Sequence, residues 1–461
     1  MKKESPFQRK WWALIGVCLL AFTAFLDATI VNTALPFIQS SFNITVLQLQ
    51  WVGNIFTIIL SMSMMAIGKI ADSLGRRKVF YIGVFFFTLG AIGGGMSPTI
   101  ECLIFFRGMQ ALGASTLFIT AAALLSDVFP IKERVKAISI YGGITGCGLM
   151  FGPFLGGLLI DLLNWRWVFW INLPFIAIGL IACLFTLKNH HDQKKKLKLD
   201  WVGLLYLVLG LGSLMYGIIT GAQENWQSGK AWYFLIIGIL GLTLLIQLDT
   251  KKQNPLLNLN IFKKNLIKLA AMSCALAGVV STVFMFFDPL YLRILRQLSP
   301  FSMGILIASI PAAQSIISIV FEKLLKWCGI THLLFLAIVS ACIAVGLHHF
   351  LSNETPILFL LIPFFLLGIT WGLGNIATIT ALNELIKPAE IASAMGTITT
   401  IWNLVGSILL ALSTALFHYR EKQGSFLDGF QGVIHLNFFF SLIILTIAIW
   451  IRLKLKRKKS G

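Results

Sequence analysis

The stretch WWALIGVCLLAFTAFLDATIVNTALP, Trp11 to Pro36, decides the fold. It offers about as many consecutive apolar residues as a bilayer needs, interrupted by one acid, Asp27, and preceded by Lys2, Lys3, Arg9 and Lys10. A basic end followed by an apolar run also describes a signal peptide. This run outlasts a signal's apolar segment and shows no small-residue cleavage pattern, so we expect an uncleaved first helix.

The same pattern recurs. Fourteen apolar runs follow one another, from 11–34 to 434–451, in a chain of 461 residues that is 57% hydrophobic and only 12% charged. A soluble domain carries roughly twice that share of charge, so lipid must serve as the second solvent. The net charge of +19 does not point to nucleic acid. Its basic residues form short clusters between apolar runs, as membrane-flanking loops do. With the N-terminus inside, 30 of the 37 basic residues fall in inside segments, six fall outside, and Arg107 lies within a run. This asymmetry predicts both termini in the cytoplasm of a multi-pass protein of the plasma (inner) membrane.

The expected fold class is an all-α integral membrane protein with two six-helix bundles and a two-helix insertion. The expected domains are an N-terminal bundle at 1–187, linkers and a hairpin at 188–265, and a C-terminal bundle at 266–461. Two bundles facing a midplane site suit a transporter working by alternating access. No His/Glu metal cluster, nucleophile motif or sizeable soluble segment points to an enzyme, a metal or a cofactor. Five of the seven cysteines lie inside apolar runs and read as packing residues.

Several motifs carry chemistry. In GKIADSLGRRK (Gly68 to Lys78), Gly68 and Gly75 permit a tight inside turn, and Asp72 stands among Lys69, Arg76, Arg77 and Lys78. A lone carboxylate among cations at two helix mouths can act as a lock that breaks on reorientation. In GGITGCGLMFGPFLGG (Gly142 to Gly157), Gly148, Gly152 and Gly156 share one helix face for close packing, and Pro153 removes a backbone donor.

Charges inside apolar runs are costly and should face a partner. Asp27 lies eight residues before Leu35 and Arg107 seven after Ile100. At 1.5 Å per residue these are depths of about 12 Å and about 10 Å. The two are the best candidate pair within the membrane. A neighbouring cation favours the ionised carboxyl and burial favours the protonated one, so a rearrangement can move a proton. Asp27 is the candidate coupling residue, with Arg107 as its modulator; a static packing pair is the alternative. Asp288, followed by Pro289, reads as a solvated helix end, with a second proton site as the alternative, and His348 and His349 read as solvated or interfacial. Asn32, Gln314, Trp371, Asn375 and Asn403 are candidates for a substrate cavity, with helix–helix hydrogen bonding the alternative for each Asn.

LDATIVNTALP, GKIADSLGRRK, RGMQALGAS, GGITGCGLMFGPFLGG and WRWVFWINLP occur here in one order. Together they resemble the fourteen-span drug:proton antiporters of the major facilitator superfamily. DVFPIKERVKA (Asp127 to Ala137) sits in the matching inside loop. The resemblance is dense over about 12–175 and thinner beyond; FEKLLKWCG (Phe321 to Gly329) departs from the second copy of the loop signature. It implies that Asp72 and its arginines hold an outward-facing state. It also implies that Gly148, Gly152, Pro153, Gly156 and Gly157 form the antiporter motif. The function so implied is proton-coupled export of amphipathic or cationic small molecules. Export of an endogenous metabolite such as a siderophore, or import, are the alternatives. The partners are a small-molecule substrate, protons and membrane lipids, with a periplasmic adaptor and outer-membrane channel left open.

Overall fold

The computed structural model describes residues 6–187, 201–224, 226–250, 259–386 and 391–460. The linker lysines Lys194, Lys195 and Lys196 and the pair His190 and His191 lie outside the described residues. Among the described residues there is no strand, and fourteen helices are long and apolar enough to cross a membrane. They are α1 (Pro6–Phe42), α2 (Val46–Leu74), α3 (Arg76–Met96), α4 (Ile100–Val128) and α5 (Ile131–Leu162). Next come α6 (Trp167–Thr186), α7 (Trp201–Gln223), α8 (Gly229–Thr250) and α9 (Asn265–Leu295). The last are α10 (Pro300–Cys328), α11 (Ile330–His348), α12 (Ile357–Leu385), α13 (Ile391–Gln423) and α14 (Phe426–Ser460).

These sequences are rich in glycine and β-branched residues, which are poor helix formers in water. In lipid the balance changes, because every backbone N–H and C=O must be satisfied within its own segment. Prolines are therefore carried inside α1 (Pro36), α5 (Pro153), α9 (Pro289), α10 (Pro311) and α12 (Pro363).

The chain forms two compact units. The first comprises Met1–Asn43, Trp51–Leu199 and Ser299–Ala308. At its centre α1 packs against α4, α5 and α6, and α3 packs along α4. Its core joins Val17, Leu20, Ala21 and Ala24 of α1 to Phe87 of α3 and Leu117 of α4. Glycines set the spacing: a Cβ on Gly113 of α4 would lie 2.4 Å from the Phe87 nitrogen.

The second unit comprises Ile44–Gln50, Asp200–Leu298 and Ser309–Gly461. Here α9 is largely buried among α11, α12, α13 and α14, and the α7–α8 hairpin packs against α13. Gly278 of α9 and Gly406 of α13 let those two backbones touch; a Cβ on Gly278 would meet the Trp402 carbonyl oxygen at 2.2 Å.

Two short connections turn on glycine in the left-handed region. Gly75 between α2 and α3 has φ 97°, and Gly329 between α10 and α11 has φ 74°. The second corresponds to the stretch that departs from the loop signature. It keeps the turning glycine, while Glu322 pairs with its own helix neighbour Lys326 at 2.6 Å.

Candidate functional site

Thr99 caps α4 by accepting a hydrogen bond from the Cys102 N–H, which starts the helix two turns before Arg107. From there Arg107 reaches across to α1. Its Nη1 donates to Asp27 Oδ2 at 2.6 Å and to Gln110 Oε1 at 2.8 Å, and its Nε donates to the Val52 carbonyl of α2 at 3.4 Å. The guanidinium lies 4.2 Å from the centre of the Phe56 ring, a further cation–π contact. Asp27 is fully buried and Arg107 is 3% exposed.

Two neutral residues complete the cluster. Gln110 Nε2 donates to Asp27 Oδ1 at 2.8 Å, and Asn172 Nδ2 of α6 donates to the same oxygen at 3.3 Å. Gly90 of α3 makes room for this arrangement, since a Cβ there would meet Gln110 Cβ at 2.6 Å. Side chains of α4 and α6 thus hold the carboxylate of α1, while α2 braces Arg107. Sequence reasoning brought out Asp27 and Arg107 and missed Gln110 and Asn172. Gln110 was accessible, because it lies three residues after Arg107 on the same helix face. Nothing in WINLP singles out Asn172.

Within this cluster the pair is electrically neutral, which is what makes its burial tolerable. Protonation of Asp27 leaves the Arg107 charge without its counterion.

The glycine seam packs directly on the same helix. Gly148 faces the Phe22 carbonyl, Gly152 faces Thr29, and Gly156 faces Ile30. A Cβ on Gly152 would lie 2.0 Å from Thr29 Oγ1. Free of that clash, Thr29 donates across the seam to the Leu149 carbonyl at 3.0 Å. Pro153 is buried beside it, and Gly157 lies against Pro300 and Gly304 at the start of α10, within the same unit.

At the α2–α3 turn, the side chain of Asp72 lies outside the described residues. A Cβ on Gly68 would make only an ordinary contact, 3.9 Å from Ile119 Cγ2, and Gly75 forms the turn. Arg76 Nη1 engages both oxygens of Asp127, each at 3.1 Å, and so ties the start of α3 to the end of α4. Arg77 stacks over Tyr81, 5.5 Å from the ring centre. Lys10 pairs with Glu133 at 2.5 Å, linking α1 to α5.

The cavity candidates are less coherent. The Asn32 amide donates to the Ala28 carbonyl of its own helix at 3.5 Å, and Asn403 donates to Thr399 in its own helix at 3.0 Å. Trp371 is buried with its ring 6.5 Å from that of Trp402. Gln314 Oε1 is buried without a hydrogen-bond partner among the described residues, and Asn375 is half-buried.

Two readings need correction. Asp288 is not a solvated helix end: α9 continues past Pro289 to Leu295, and Asp288 is fully buried. A proline gives up only its own N–H, and π-helical turns at Val280–Phe284 and Tyr291–Leu295 re-space the bonds around it. His348 is likewise fully buried rather than interfacial, whereas His349 is exposed.

Comparison with known proteins gives concordant results. The model of the Major Facilitator Superfamily matches residues 17–410. The multidrug resistance protein Stp of Mycobacterium tuberculosis is 35% identical over 306 residues, 66% of this chain and 57% of Stp. The chain thus spans little more than half of that relative's length. YvkA of Bacillus subtilis, an uncharacterized MFS-type transporter, is 26% identical over 96% of this chain and 97% of its own. Among solved structures, the peptide transporter POT in complex with sulfate shares the fold with a TM-score of 0.70 at 15% identity, covering 97% of this chain and 99% of that one. With fourteen membrane-length helices and a family match across most of its sequence, the chain belongs to the major facilitator superfamily of membrane transporters.

Proposed function

We propose that this transporter is a proton-coupled antiporter that exports amphipathic or cationic small molecules across the plasma membrane, with both termini in the cytoplasm. The observation that carries the reading is the fully buried Asp27 carboxylate, held by Arg107, Gln110 and Asn172. A proton arriving at Asp27 cancels its charge and releases Arg107, and α1 and α4 then repack. Release of that proton to the cytoplasm restores the pair, and the substrate then bound from inside is carried out in exchange. The glycine seam of α5 supports this, because its close approach to the α1 backbone gives a repacking of α1 a direct route to α5. Outward export is favoured by the name of the relative Stp, a multidrug resistance protein, and by the resemblance of Gly142 to Gly157 to the antiporter motif.

The role proposed for Arg76 and Asp127 is to clamp the inner ends of α3 and α4 until the cycle turns. A periplasmic adaptor is not required by this scheme. The test is proton-driven uptake of ethidium into inverted vesicles. Wild-type vesicles should accumulate the dye on energisation, and vesicles bearing Asp27→Asn should not.

A further inference from the structure

The second unit contains another buried acid, and its surroundings differ from those of Asp27. Asp288 in α9 and His348 in α11 are both fully buried, with His348 Nε2 3.5 Å from Asp288 Oδ1. Neither carboxylate oxygen of Asp288 has a hydrogen-bond partner among the described residues, and neither does His348 Nε2. Aromatic rings close the site: Phe284 lies 4.9 Å and Phe364 5.9 Å from the imidazole centre.

The tautomer of His348 follows from its other nitrogen. Nδ1 lies 2.7 Å from the Ala344 carbonyl oxygen, which only accepts, so Nδ1 carries a hydrogen. In a neutral ring Nε2 is then a bare lone pair directed at a carboxylate. Two acceptors facing each other in an apolar setting repel, and a lone anion there has no counterion. A single proton between them resolves both problems, whether written as carboxylic acid and imidazole or as carboxylate and imidazolium.

We propose that Asp288 and His348 form a proton-binding site in the second unit, holding one proton between Oδ1 and Nε2. The groups around it do not supply an alternative. Tyr291, one turn on in α9, is committed to the Ser352 carbonyl at 2.8 Å. Arg293 donates to the Leu298 carbonyl, and Arg296 faces Tyr291. His349 of α11 meets His435 of α14, which in turn meets Arg420 of α13. His418 and Glu421 lie in the same last stretch of α13, Asp428 of α14 bonds Ser425, and Glu384 at the end of α12 is exposed. The π-helical turns on either side of Asp288 give α9 a place to shift register, which would separate the acid from the imidazole and free the proton.

The site shares no residue with the Asp27 cluster, and its test needs no substrate, so its outcome is independent of the antiport reading. The experiment is nitrogen-15 NMR of the purified full-length protein labelled at histidine, with His348→Gln to identify the resonance. The wild-type His348 Nε2 should resonate as a nitrogen engaged with a proton. In Asp288→Leu it should revert to a bare nitrogen while Nδ1 stays protonated, and in Asp27→Asn it should not move. If His348→Gln fails to fold, the resonance that moves in Asp288→Leu identifies it. A wild-type Nε2 that already resonates as a bare nitrogen overturns the proposal, as does a spectrum that Asp288→Leu leaves unchanged.

Discussion

Arg107 Nη1 donates at once to Asp27 Oδ2, 2.6 Å away, and to Gln110 Oε1, 2.8 Å away. One nitrogen thereby joins the charge on α1 to a neutral bridge that itself returns to Asp27. Removing one member of a buried pair leaves the other uncompensated, at a cost of about 3–5 kcal/mol. Arg107→Ala should lower the thermal stability of the detergent-solubilised protein sharply. Adding Asp27→Leu to it should recover much of that loss, because no charge is then left alone. A double variant as unstable as the sum of the single ones would show that the pair is not coupled.

Arg107→Lys keeps the charge but loses the fork that reaches Asp27, Gln110 and the Val52 carbonyl together. It should fold better than Arg107→Ala and still transport poorly. Dye efflux per unit of protein in the membrane measures this.

Gln110→Leu removes one donor to Asp27 and one acceptor from Arg107 while leaving both charges in place. Loss of a hydrogen bond to a charged group costs about 1.5–3 kcal/mol, so protonation of Asp27 should become easier. The pH dependence of transport should shift to higher pH by roughly one to two units. An unshifted profile separates Gln110 from the proton site.

Gly152→Ala and Gly142→Ala make a controlled comparison within α5. A Cβ at 152 collides with Thr29 Oγ1 at 2.0 Å, whereas one at 142 meets nothing within 4 Å. Alanine is intrinsically favoured in a helix by about 1 kcal/mol. Gly142→Ala should therefore be neutral or stabilising, and Gly152→Ala should lose transport and stability. Melting temperatures in detergent and dye efflux read both.

How much of this was legible beforehand depended on charge. Asp27 and Arg107 stand out because an ionised side chain in an apolar run demands an explanation, and counting residues from the outer ends placed them at one depth. Depth does not give the direction in which a side chain points around its helix. The neutral partners Gln110 and Asn172 make no such demand, and they stayed hidden. Asp288 was misread because Pro289 looks like a helix terminus, whereas α9 carries that proline and continues to Leu295. The turning role of Gly329 was equally hidden, since positive φ follows from chain geometry rather than from motif matching. The helix count and the two-bundle architecture rested on hydropathy, which lipid makes nearly sufficient.

Proton movement through Asp27 is the central claim, and one measurement tests it most directly. In inverted vesicles holding a preformed pH gradient, addition of ethidium should dissipate part of the gradient in wild type as protons exchange for dye. With Asp27→Asn, present in the membrane at equal amount, the addition should leave the gradient unchanged. A variant that exchanges protons for dye as wild type does would contradict the account.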